Sequence, residues 1–446
     1  MKRVVVLGGG VSGYGSAILA KKEGFEVLLS DRGALSGDVV ERLEQWGVSY
    51  EQEAHSEELI LSADIVIKSP GIPDKVPLVQ KIIEAGIPVI SEIEFAGRYA
   101  DRSKMICITG SNGKTTTTSL IYHILREAGY SVAVGGNIGE SFAYSVATAA
   151  YDWYVLELSS FQLDGMYDFR ADIGVLLNIT PDHLDRYDYR FENYAASKMR
   201  IVQNQGAEDY FIYFGADKAI TSQMEGLPLP QHCLSFGNTK SQMVEAQVGE
   251  ARVSFEASKM QITGQHNIYN AEAAALATLA AGVAPEVVER AICSFGAVEH
   301  RLQPLAEIGG VLYINDSKAT NVDSVWYALE AMTRPVVWIA GGTDKGNDYT
   351  PLKEFAAAKV HTLVCMGLDN AALEREFAGV VPSIVSCSSF EEAMTAAHGA
   401  VHGGDVVLLS PACASFDLFK SYIHRGECFS AWVNKLKDGR MSDGNS

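Results

Sequence analysis

The residues best suited by type and spacing to do chemistry form one short run, Thr109-Gly110-Ser111-Asn112-Gly113-Lys114-Thr115-Thr116. A β-branched stretch precedes the run and a helix-like stretch follows it, so backbone N–H groups and a helix N-terminus would surround a phosphate. Lys114 would add a cation for the β- and γ-phosphates of a nucleotide, and the Thr115 hydroxyl suits Mg²⁺. The usual motif has a glycine where this chain has Ile108, so the run predicts a shortened phosphate-binding loop.

Polar side chains close the next two apolar runs and could complete a metal site. Glu157 ends the run Trp153–Leu158, and Asp182 and His183 follow the run Ile173–Asn178. Ligands of open α/β sheets bind beyond the carboxyl ends of the strands, so these side chains would share a rim with the phosphate-binding loop. Oxygen ligands suit Mg²⁺, whereas histidine is a less usual partner. The pair after the second run would by itself more often be a turn, but the combination favours a metal site.

A second glycine-rich turn, Gly8-Gly9-Gly10-Val11-Ser12-Gly13, follows the first predicted strand. Its spacing matches the dinucleotide-binding fingerprint, and Asp31 ends the next predicted strand, where that fingerprint places an acid for a ribose. Taken literally, the motif indicates NAD. A helix N-terminus with close backbone approach suits any pyrophosphate ligand equally well, and a purely structural tight turn also stays open.

Two more polar clusters follow predicted strands in the last third of the chain. One comprises His300-Arg301 and Asn315-Asp316-Ser317-Lys318-Ala319-Thr320-Asn321, and the other is Ser410-Pro411-Ala412-Cys413-Ala414-Ser415-Phe416-Asp417. In the first, the aspartate could hold a ribose or a metal-bound water, and the lysine a phosphate or carboxylate. In the second, Ser415 is expected where a strand-end loop enters a helix, which would favour a carboxylate. Ordinary helix caps explain each cluster about as well.

Strands alternate with helices along most of the chain, which predicts right-handed βαβ units and parallel sheets. An alternating pattern over residues 243–262 predicts a small antiparallel element, and Ala271–Ala281 reads as a helix capped by Asn270. The predicted strands are Arg3–Leu7, Glu26–Ser30, Asp64–Lys68, Met105–Thr109, Trp153–Leu158, Ile173–Asn178, Val311–Ile314, Val336–Ile339, Thr362–Cys365 and Val406–Leu409. The fold class expected is α/β in three domains at 1–95, 96–298 and 299–446.

Length and composition exclude several classes of protein. The chain has 446 residues, enough for two or three domains. Its net charge of −19 argues against binding nucleic acid or an anionic membrane, although an anionic small substrate needs only a few cations. Seven scattered cysteines without a CxxC pair support neither a zinc ribbon nor a disulfide framework. With no signal-peptide pattern and no membrane-spanning run, a cytoplasmic multidomain enzyme is expected.

Taken together, these motifs resemble the Mur ligase family of peptidoglycan synthesis over essentially the whole chain. The phosphate-binding loop is similar to the family's own variant, which accounts for the missing glycine. Further family signatures recur in order at Gly264-Gln265-His266-Asn267-Ile268-Tyr269-Asn270-Ala271, at His300-Arg301 and at Asn315–Asn321. Leu158-Ser159-Ser160-Phe161-Gln162, Ser410–Ser415 and the βαβ start of the chain resemble the members that attach D-glutamate. One departure is Gly341-Gly342-Thr343-Asp344-Lys345, where the aspartate is displaced by one position relative to the family pattern.

The resemblance implies a three-domain fold: an N-terminal Rossmann-like domain, a central P-loop ATPase-like domain with the small antiparallel element, and a C-terminal Rossmann-like domain. The UDP end of the substrate would contact Ser12, Asp31, Arg32, Gly71 and Asn137. ATP would contact Gly110, Ser111, Asn112, Gly113, Lys114, Thr115, Thr116, Asn267, Asn270, Arg301 and Asp316. D-Glutamate would contact Lys318, Thr320, Lys345, Ser415 and Tyr422. Metal ligands would be Thr115, Glu157, His183 and Lys198, and the catalytic residues Lys114, His183, Lys198 and Lys318.

The implied reaction is ATP-dependent addition of D-glutamate to UDP-N-acetylmuramoyl-L-alanine through an acyl phosphate, carried out by a monomer with two Mg²⁺ ions. Lys198, which has no distinguishing pattern of its own, resembles the family lysine that CO₂ converts to a carbamate. Three alternatives stay open. They are a sister or folylpolyglutamate-type ligase for another amino acid, an NAD-dependent oxidoreductase with an accessory nucleotide domain, and an ATP-binding switch.

Overall fold

The computed structural model describes residues 2–100, 103–182, 184–229, 231–237, 242–296, 299–344 and 346–439. The chain forms two compact units, one of Met1–Lys259 and Asn267–Ser294 and the other of Met260–His266 and Phe295–Ser446. Across the described ranges, no helix combines the length and apolar character needed to cross a membrane. All seven cysteines are free thiols.

The first unit begins with a parallel five-stranded sheet in the order β3-β2-β1-β4-β5. β1 lies in the middle of this sheet and contains the buried residues Val4, Val5 and Val6. A β-branched strand that is apolar on both faces is stable only where helices cover both sides of the sheet. The order is that of a doubly wound nucleotide-binding fold. The strands are β1 Arg3–Leu7, β2 Glu26–Ser30, β3 Ser49–Glu51, β4 Ile65–Lys68 and β5 Val89–Ile90, and the helices α1 Val11–Lys22, α2 Gly37–Gln45, α3 Glu57–Ile60, α4 Pro77–Glu84 and α5 Glu92–Gly97.

A second parallel sheet of the same unit has six strands in the order β11-β10-β9-β6-β8-β7. Its central strand β6 leads directly into the phosphate-binding loop and α6. The strands are β6 Lys104–Thr109, β7 Val132–Gly136, β8 Trp153–Glu157, β9 Ile173–Leu176, β10 Tyr210–Phe214 and β11 His232–Phe236. The helices are α6 Lys114–Glu127, α7 Phe142–Thr148, α8 Ser160–Asp164, α9 Phe191–Met199, α10 Lys218–Met224, α11 Gln265–Ala280 and α12 Pro285–Ser294.

The predicted antiparallel element is confirmed as the hairpin of β12 Met243–Val248 and β13 Ala251–Glu256. The predicted start of the following helix is wrong. α11 begins at Gln265, so Asn270 lies inside the helix instead of capping it. The run of polar residues before Ala271 looks like a helix boundary, yet Asn267 and Asn270 are buried against neighbouring segments. Tertiary contacts therefore override the local capping signal.

The second unit carries a six-stranded sheet in the order β14-β15-β19-β16-β17-β18, in which only the edge strand β14 is antiparallel. β14 was not predicted. The strands are β14 Gln303–Ile308, β15 Val311–Asn315, β16 Val336–Ala340, β17 Val360–Met366, β18 Ser383–Cys387 and β19 Val406–Leu409, and the helices α13 Val322–Ala331, α14 Lys353–Lys359, α15 Ala371–Phe377, α16 Phe390–Gly399 and α17 Tyr422–Lys437. The three sheets confirm the predicted α/β fold class.

The position predicted for Ser415 at a helix start is wrong. Ser415 lies in the connection between β19 and α17, well before the first helical residue, Tyr422. The helix is capped by Ser421, whose hydroxyl accepts a hydrogen bond from the His424 N–H. Ser415 is nevertheless buried, so the long strand-to-helix connection folds back onto the unit before the helix begins.

Candidate active site

The phosphate-binding loop depends on glycine at two positions. Gly113 stands immediately before α6 with a φ of +83°, and Gly110 has a φ of +151°. A Cβ at Gly113 would lie 2.5 Å from Asn270 Oδ1, so a side chain would both strain the backbone and displace α11. The loop is also tied to the end of β9, because Asn178 Oδ1 accepts the Asn112 N–H at 2.8 Å and Asn178 Nδ2 donates to the Asn112 carbonyl at 3.1 Å.

Thr115 and Glu157 meet at the start of α6. The Thr115 hydroxyl donates to Glu157 Oε2 at 2.7 Å, and Asn137 Nδ2 donates to Glu157 Oε1 at 2.9 Å. Glu157 is buried at the carboxyl end of β8, where the parallel register sets it beside the loop. A hydroxyl and a carboxylate side by side at a helix N-terminus are the hard oxygen donors that Mg²⁺ prefers.

Lys114 and Lys198 converge on one backbone oxygen. Lys114 Nζ donates to the Gly110 carbonyl at 2.7 Å, and Lys198 Nζ donates to the same carbonyl at 2.9 Å. Lys198 is buried on α9, and its Nζ lies 4.8 Å from the centre of the Tyr194 ring. Burial, and then the charge of Lys114, hold the pKa of Lys198 well below its usual range. The neutral amine is therefore more accessible at Lys198 than at an exposed lysine.

The metal-ligand residues predicted around this loop are only partly described. Within the residues that the structure describes, no three His, Cys, Asp or Glu side chains gather as a metal cluster. Thr115 and Glu157 are in contact, while His183 lies outside the described residues. A Mg²⁺ site beside a phosphate-binding loop takes most of its ligands from phosphate oxygens and water. The protein then needs to supply only a hydroxyl and one carboxylate.

The N-terminal turn is a close-packed backbone feature at the carboxyl edge of its sheet. A Cβ at Gly13 would lie 1.8 Å from the Gly8 carbonyl oxygen, so only glycine permits α1 to start here. The Asp31 carboxylate accepts the N–H groups of Gly9 at 2.5 Å and Gly33 at 2.7 Å. Ser12 lies in the first turn of α1, Asp31 and Arg32 follow β2, and Gly71 follows β4, whereas Asn137 donates a hydrogen bond to Glu157.

Asn267 and Asn270 bring a distant segment of sequence to the phosphate-binding loop. Asn270 Nδ2 donates to Asn267 Oδ1 at 3.1 Å, and Asn270 Oδ1 accepts the Thr117 hydroxyl at 3.2 Å. Thr117 lies on α6, in the second turn from the loop. The structure thus places both asparagines beside the residues predicted to bind the phosphates.

In the second unit, Asp316 is buried just beyond β15. Its carboxylate accepts the Ser410 hydroxyl at 2.7 Å and the Leu302 N–H at 3.1 Å. Burial raises the pKa of Asp316 to about 6, against the opposing charge of Arg301. Among the described residues of this unit, the buried polar atoms without a hydrogen-bond partner include Gln265 Nε2, His266 Nδ1 and Arg301 Nε. Unpaired buried donors and acceptors are costly, so these three atoms are candidates to bind a polar ligand.

Of the residues predicted for the amino acid, Lys318, Thr320 and Ser415 lie in connections of the second unit, and Tyr422 begins α17. Lys318 follows β15, and its Nζ lies 5.4 Å from the centre of the Tyr422 ring at the start of α17. Thr320 is close behind Lys318 in the chain, and its N–H donates to the Lys318 carbonyl at 2.9 Å. Lys345 lies outside the described residues. The displaced Asp344 accepts the N–H groups of Gly346 and Asn347 and the Tyr349 hydroxyl, so it stabilises its own turn.

Tyr194 is a site residue that the sequence analysis missed. Its hydroxyl lies 3.1 Å from Ser111 Oγ, and its ring faces the Lys198 ammonium. Residues four apart share a face of a helix, so a tyrosine four positions before Lys198 on α9 was the available signal.

Comparisons with known proteins agree with this geometry. Three family models match the chain: "Mur ligase MurD-like, N-terminal domain" at residues 2–91, "Mur ligase middle domain" at 108–278 and "Mur ligase, glutamate ligase domain" at 300–413. A Bacteroides fragilis protein named UDP-N-acetylmuramoylalanine–D-glutamate ligase is 50% identical over 445 residues, covering 98% of this chain and 100% of that protein.

Two solved structures show the same fold at low sequence identity. UDP-N-acetylmuramate-alanine ligase from Thermotoga maritima has a TM-score of 0.62 and 18% identity, covering 98% of this chain and 100% of that one. MurF ligase from Thermotoga maritima in complex with ADP has a TM-score of 0.61 and 16% identity, covering 93% and 96%. The chain belongs to the Mur ligase family and is an ATP-dependent ligase.

Proposed function

We propose that this chain joins D-glutamate to UDP-N-acetylmuramoyl-L-alanine, with conversion of ATP to ADP and phosphate, in peptidoglycan precursor synthesis. The observation that carries the proposal is the convergence of Lys114 and Lys198 on the Gly110 carbonyl, beside the Thr115–Glu157 pair. That arrangement suits phosphoryl transfer to a carboxylate. The identity of the two substrates is inferred from the name of the relatives that match over their full length.

The residues present fit ATP. In the first unit, the N-terminus of α6 and Lys114 would hold the phosphates, with Gly110, Ser111, Asn112, Gly113 and Thr116 forming the cradle and Asn267 and Asn270 beside it. In the second unit, Asp316 and Arg301 would contact the nucleotide, and the unpaired Arg301 Nε supports this role. An anion at a helix N-terminus is stabilised by the helix dipole and the first-turn N–H groups.

The residues present also fit Mg²⁺. Thr115 and Glu157 would hold one ion, and His183 and a carbamylated Lys198 would serve a second. Bound Mg²⁺ would neutralise the charge that builds up on the transferring phosphate oxygens. Asn137 would keep the Glu157 carboxylate oriented toward Thr115 through its hydrogen bond.

The surroundings of Lys198 support its proposed carbamylation. CO₂ reacts with a neutral amine: a C–N bond forms, one proton leaves, and a carbamate anion results. The lowered pKa of Lys198 supplies the neutral amine. The product replaces one of two cations beside the Gly110 carbonyl with an anion, which removes the repulsion between Lys114 and Lys198.

The reaction would proceed in two steps. The carboxylate of the nucleotide sugar attacks the γ-phosphorus of ATP, and the bond from that phosphorus to the bridging oxygen breaks to release ADP. The amine of D-glutamate then attacks the acyl carbon, loses a proton, and displaces phosphate. Lys114 stabilises the charge on the transferring oxygens. Lys318, Thr320, Lys345, Ser415 and Tyr422 would hold D-glutamate, and Ser12, Asp31, Arg32, Gly71 and Asn137 the UDP end.

The same proposal covers the organisation of the protein. We place a UDP-substrate-binding domain at 1–95, an ATP-binding domain at 96–298 and an amino-acid-binding domain at 299–446. We further propose that the protein acts as a monomer in the cytoplasm, where ATP and nucleotide sugars are available.

Phosphate release from ATP tests the function directly. The protein is mixed with ATP, Mg²⁺ and UDP-N-acetylmuramoyl-L-alanine, and the release of phosphate is compared across L- and D-amino acids. Release that requires both the nucleotide sugar and D-glutamate is expected. Release with a different amino acid would identify a sister ligase, and release independent of any amino acid would indicate an ATP-binding switch. Tight NADH binding that UDP does not displace would contradict the role of the N-terminal turn.

A further inference from the structure

Arg186 is a cation near the proposed active site to which nothing above gives a role. It ends a short 3₁₀ helix, Leu184–Arg186, close behind Asp182. Its guanidinium carbon lies 4.3 Å from the centre of the Phe161 ring, and Nη2 donates to the Pro70 carbonyl at 3.3 Å. Neither the Phe161 ring nor the Pro70 carbonyl carries a charge. The hydrogen bond to Pro70 uses only one of the five guanidinium N–H donors.

A continuous column of rings fixes the orientation of Arg186. Phe161 stacks on Tyr187 with 6.1 Å between ring centres and 12° between planes, and Tyr187 packs on Tyr194 at 5.4 Å. The far end of the column is Lys198, over the Tyr194 ring. The Tyr187 hydroxyl donates to Asp164 at 2.8 Å, which fixes the position of the Tyr187 ring within the column. A guanidinium stacked on such a support loses little further freedom when it binds a ligand.

The column connects the two places where the nucleotide sugar is proposed to bind. Its Arg186 end contacts Pro70, next to Gly71 in the loop after β4, where the UDP end is expected. Its Lys198 end contacts Gly110 in the phosphate-binding loop, where the substrate carboxylate must meet ATP. Arg186 therefore lies at the end of the column that is beside the proposed UDP site.

We propose that Arg186 binds the diphosphate of the nucleotide-sugar substrate. The inference rests on the proposed function, and adds to it a residue of the substrate site. A planar guanidinium edge forms two parallel hydrogen bonds to a phosphate or carboxylate, which a lysine cannot reproduce. The net charge of −19 makes such a local cation necessary for an anionic substrate.

Binding measured without turnover tests this role. Calorimetric titration of the Arg186→Met variant with UDP-N-acetylmuramoyl-L-alanine should show affinity reduced about tenfold or more, as expected for losing a charge-assisted pair. Affinity for ATP should stay within about twofold of wild type, because Arg186 does not contact the phosphate-binding loop. Arg186→Lys should recover only part of the loss, because it restores the charge without the planar edge.

Titration with UDP alone tests the assignment to the diphosphate. If Arg186 binds the diphosphate, Arg186→Met weakens UDP and the nucleotide sugar alike. Weakened binding of the nucleotide sugar with unchanged binding of UDP would overturn the diphosphate role. Wild-type affinity of Arg186→Met for the nucleotide sugar would overturn the proposal, and so would a parallel loss of ATP affinity, which indicates general collapse of the site.

Arg200→Met is the matched control. Arg200 also lies near a tyrosine ring, at 6.0 Å from Tyr167, and also donates to a backbone carbonyl, that of Leu163 at 2.8 Å. Its variant should lose thermal stability without losing affinity for the nucleotide sugar. If Arg186→Met fails to fold, Arg186→Lys takes its place. Its affinity for the nucleotide sugar should be reduced about threefold, and wild-type affinity would overturn the proposed role. A wild-type protein that binds neither UDP nor the nucleotide sugar would contradict the proposed function itself, and this Arg186 role with it.

Discussion

Two lysines at one carbonyl oxygen define the chemistry of this protein at the scale of single residues. Lys114 and Lys198 come from segments far apart in sequence, and both donate to Gly110. Two adjacent ammonium groups repel each other, and the buried Lys198 also loses its hydration. The low pKa of Lys198 follows from both effects, with burial the larger. Lys198 is thus a buried amine rather than a solvated surface charge, which makes it a candidate for a functional role.

Replacing Lys198 with alanine is expected to reduce ligase turnover by about a hundredfold, because the anion proposed to hold metal beside the phosphates is lost. Short carboxylic acids added to the variant should restore part of the turnover by occupying the place of the carbamate. Steady-state phosphate release measures both effects. Lys218→Ala, at an exposed lysine on α10, should keep wild-type turnover. Full activity of Lys198→Ala would contradict the carbamate.

At the scale of elements, α11 supports the phosphate-binding loop and also carries a buried acid. Asn270 on this helix lies against Gly113, and two residues later Glu272 is buried on the same helix. Glu272 Oε2 accepts the Gly237 N–H at 2.9 Å. Burial raises the pKa of Glu272 to about 7 from its usual 4.5. The helix that positions the loop is therefore sensitive to pH.

Glu272→Gln should stabilise the protein relative to wild type more at pH 8 than at pH 5. The folded-state pKa is raised, so the contribution of Glu272 to stability is fully present below about pH 4.5 and is lost as pH rises through about 7. The difference between the two pH values should be on the order of 2 kcal/mol in the free energy of unfolding, measured by urea titration. Glu286→Gln, at an exposed position on α12, should show no such dependence. An equal effect of Glu272→Gln at both pH values would refute the raised pKa.

At the scale of the whole molecule, an acidic protein is proposed to bind three anionic substrates. Its charge of −19 repels anions at long range, so binding must depend on local features. The structure describes such features: Lys114 at the N-terminus of α6, Arg186 on its ring column, Arg301 before β14 and Lys318 after β15. Each acts over a few ångströms, a distance at which dissolved salt screens weakly.

Salt should therefore weaken substrate binding only modestly. Between about 50 and 200 mM NaCl, the KM for the nucleotide sugar is expected to rise less than about tenfold, whereas a broad nucleic-acid surface loses about a thousandfold or more. Initial rates at constant Mg²⁺ measure this change in KM. Repeating the series with KCl shows whether the change depends on which salt is used. A steep logarithmic dependence on salt would show that many dispersed cations contribute.

Local sequence determined the features that depend on contiguous residues. The two glycine-rich turns, the β-branched strands and the period-two hairpin were all predictable, because a steric requirement or a hydrophobic pattern over a few residues is enough to specify them. The family resemblance added the roles of Lys198 and Asn270, which no local pattern distinguishes. Tertiary structure alone decided the rest. It buried Lys198 under Tyr194, moved the start of α11 to Gln265, and aligned Arg186 with Lys198 through intervening rings. Those outcomes depend on which distant segments pack together, and burial of a polar or charged side chain is a property of that packing rather than of its neighbours in sequence.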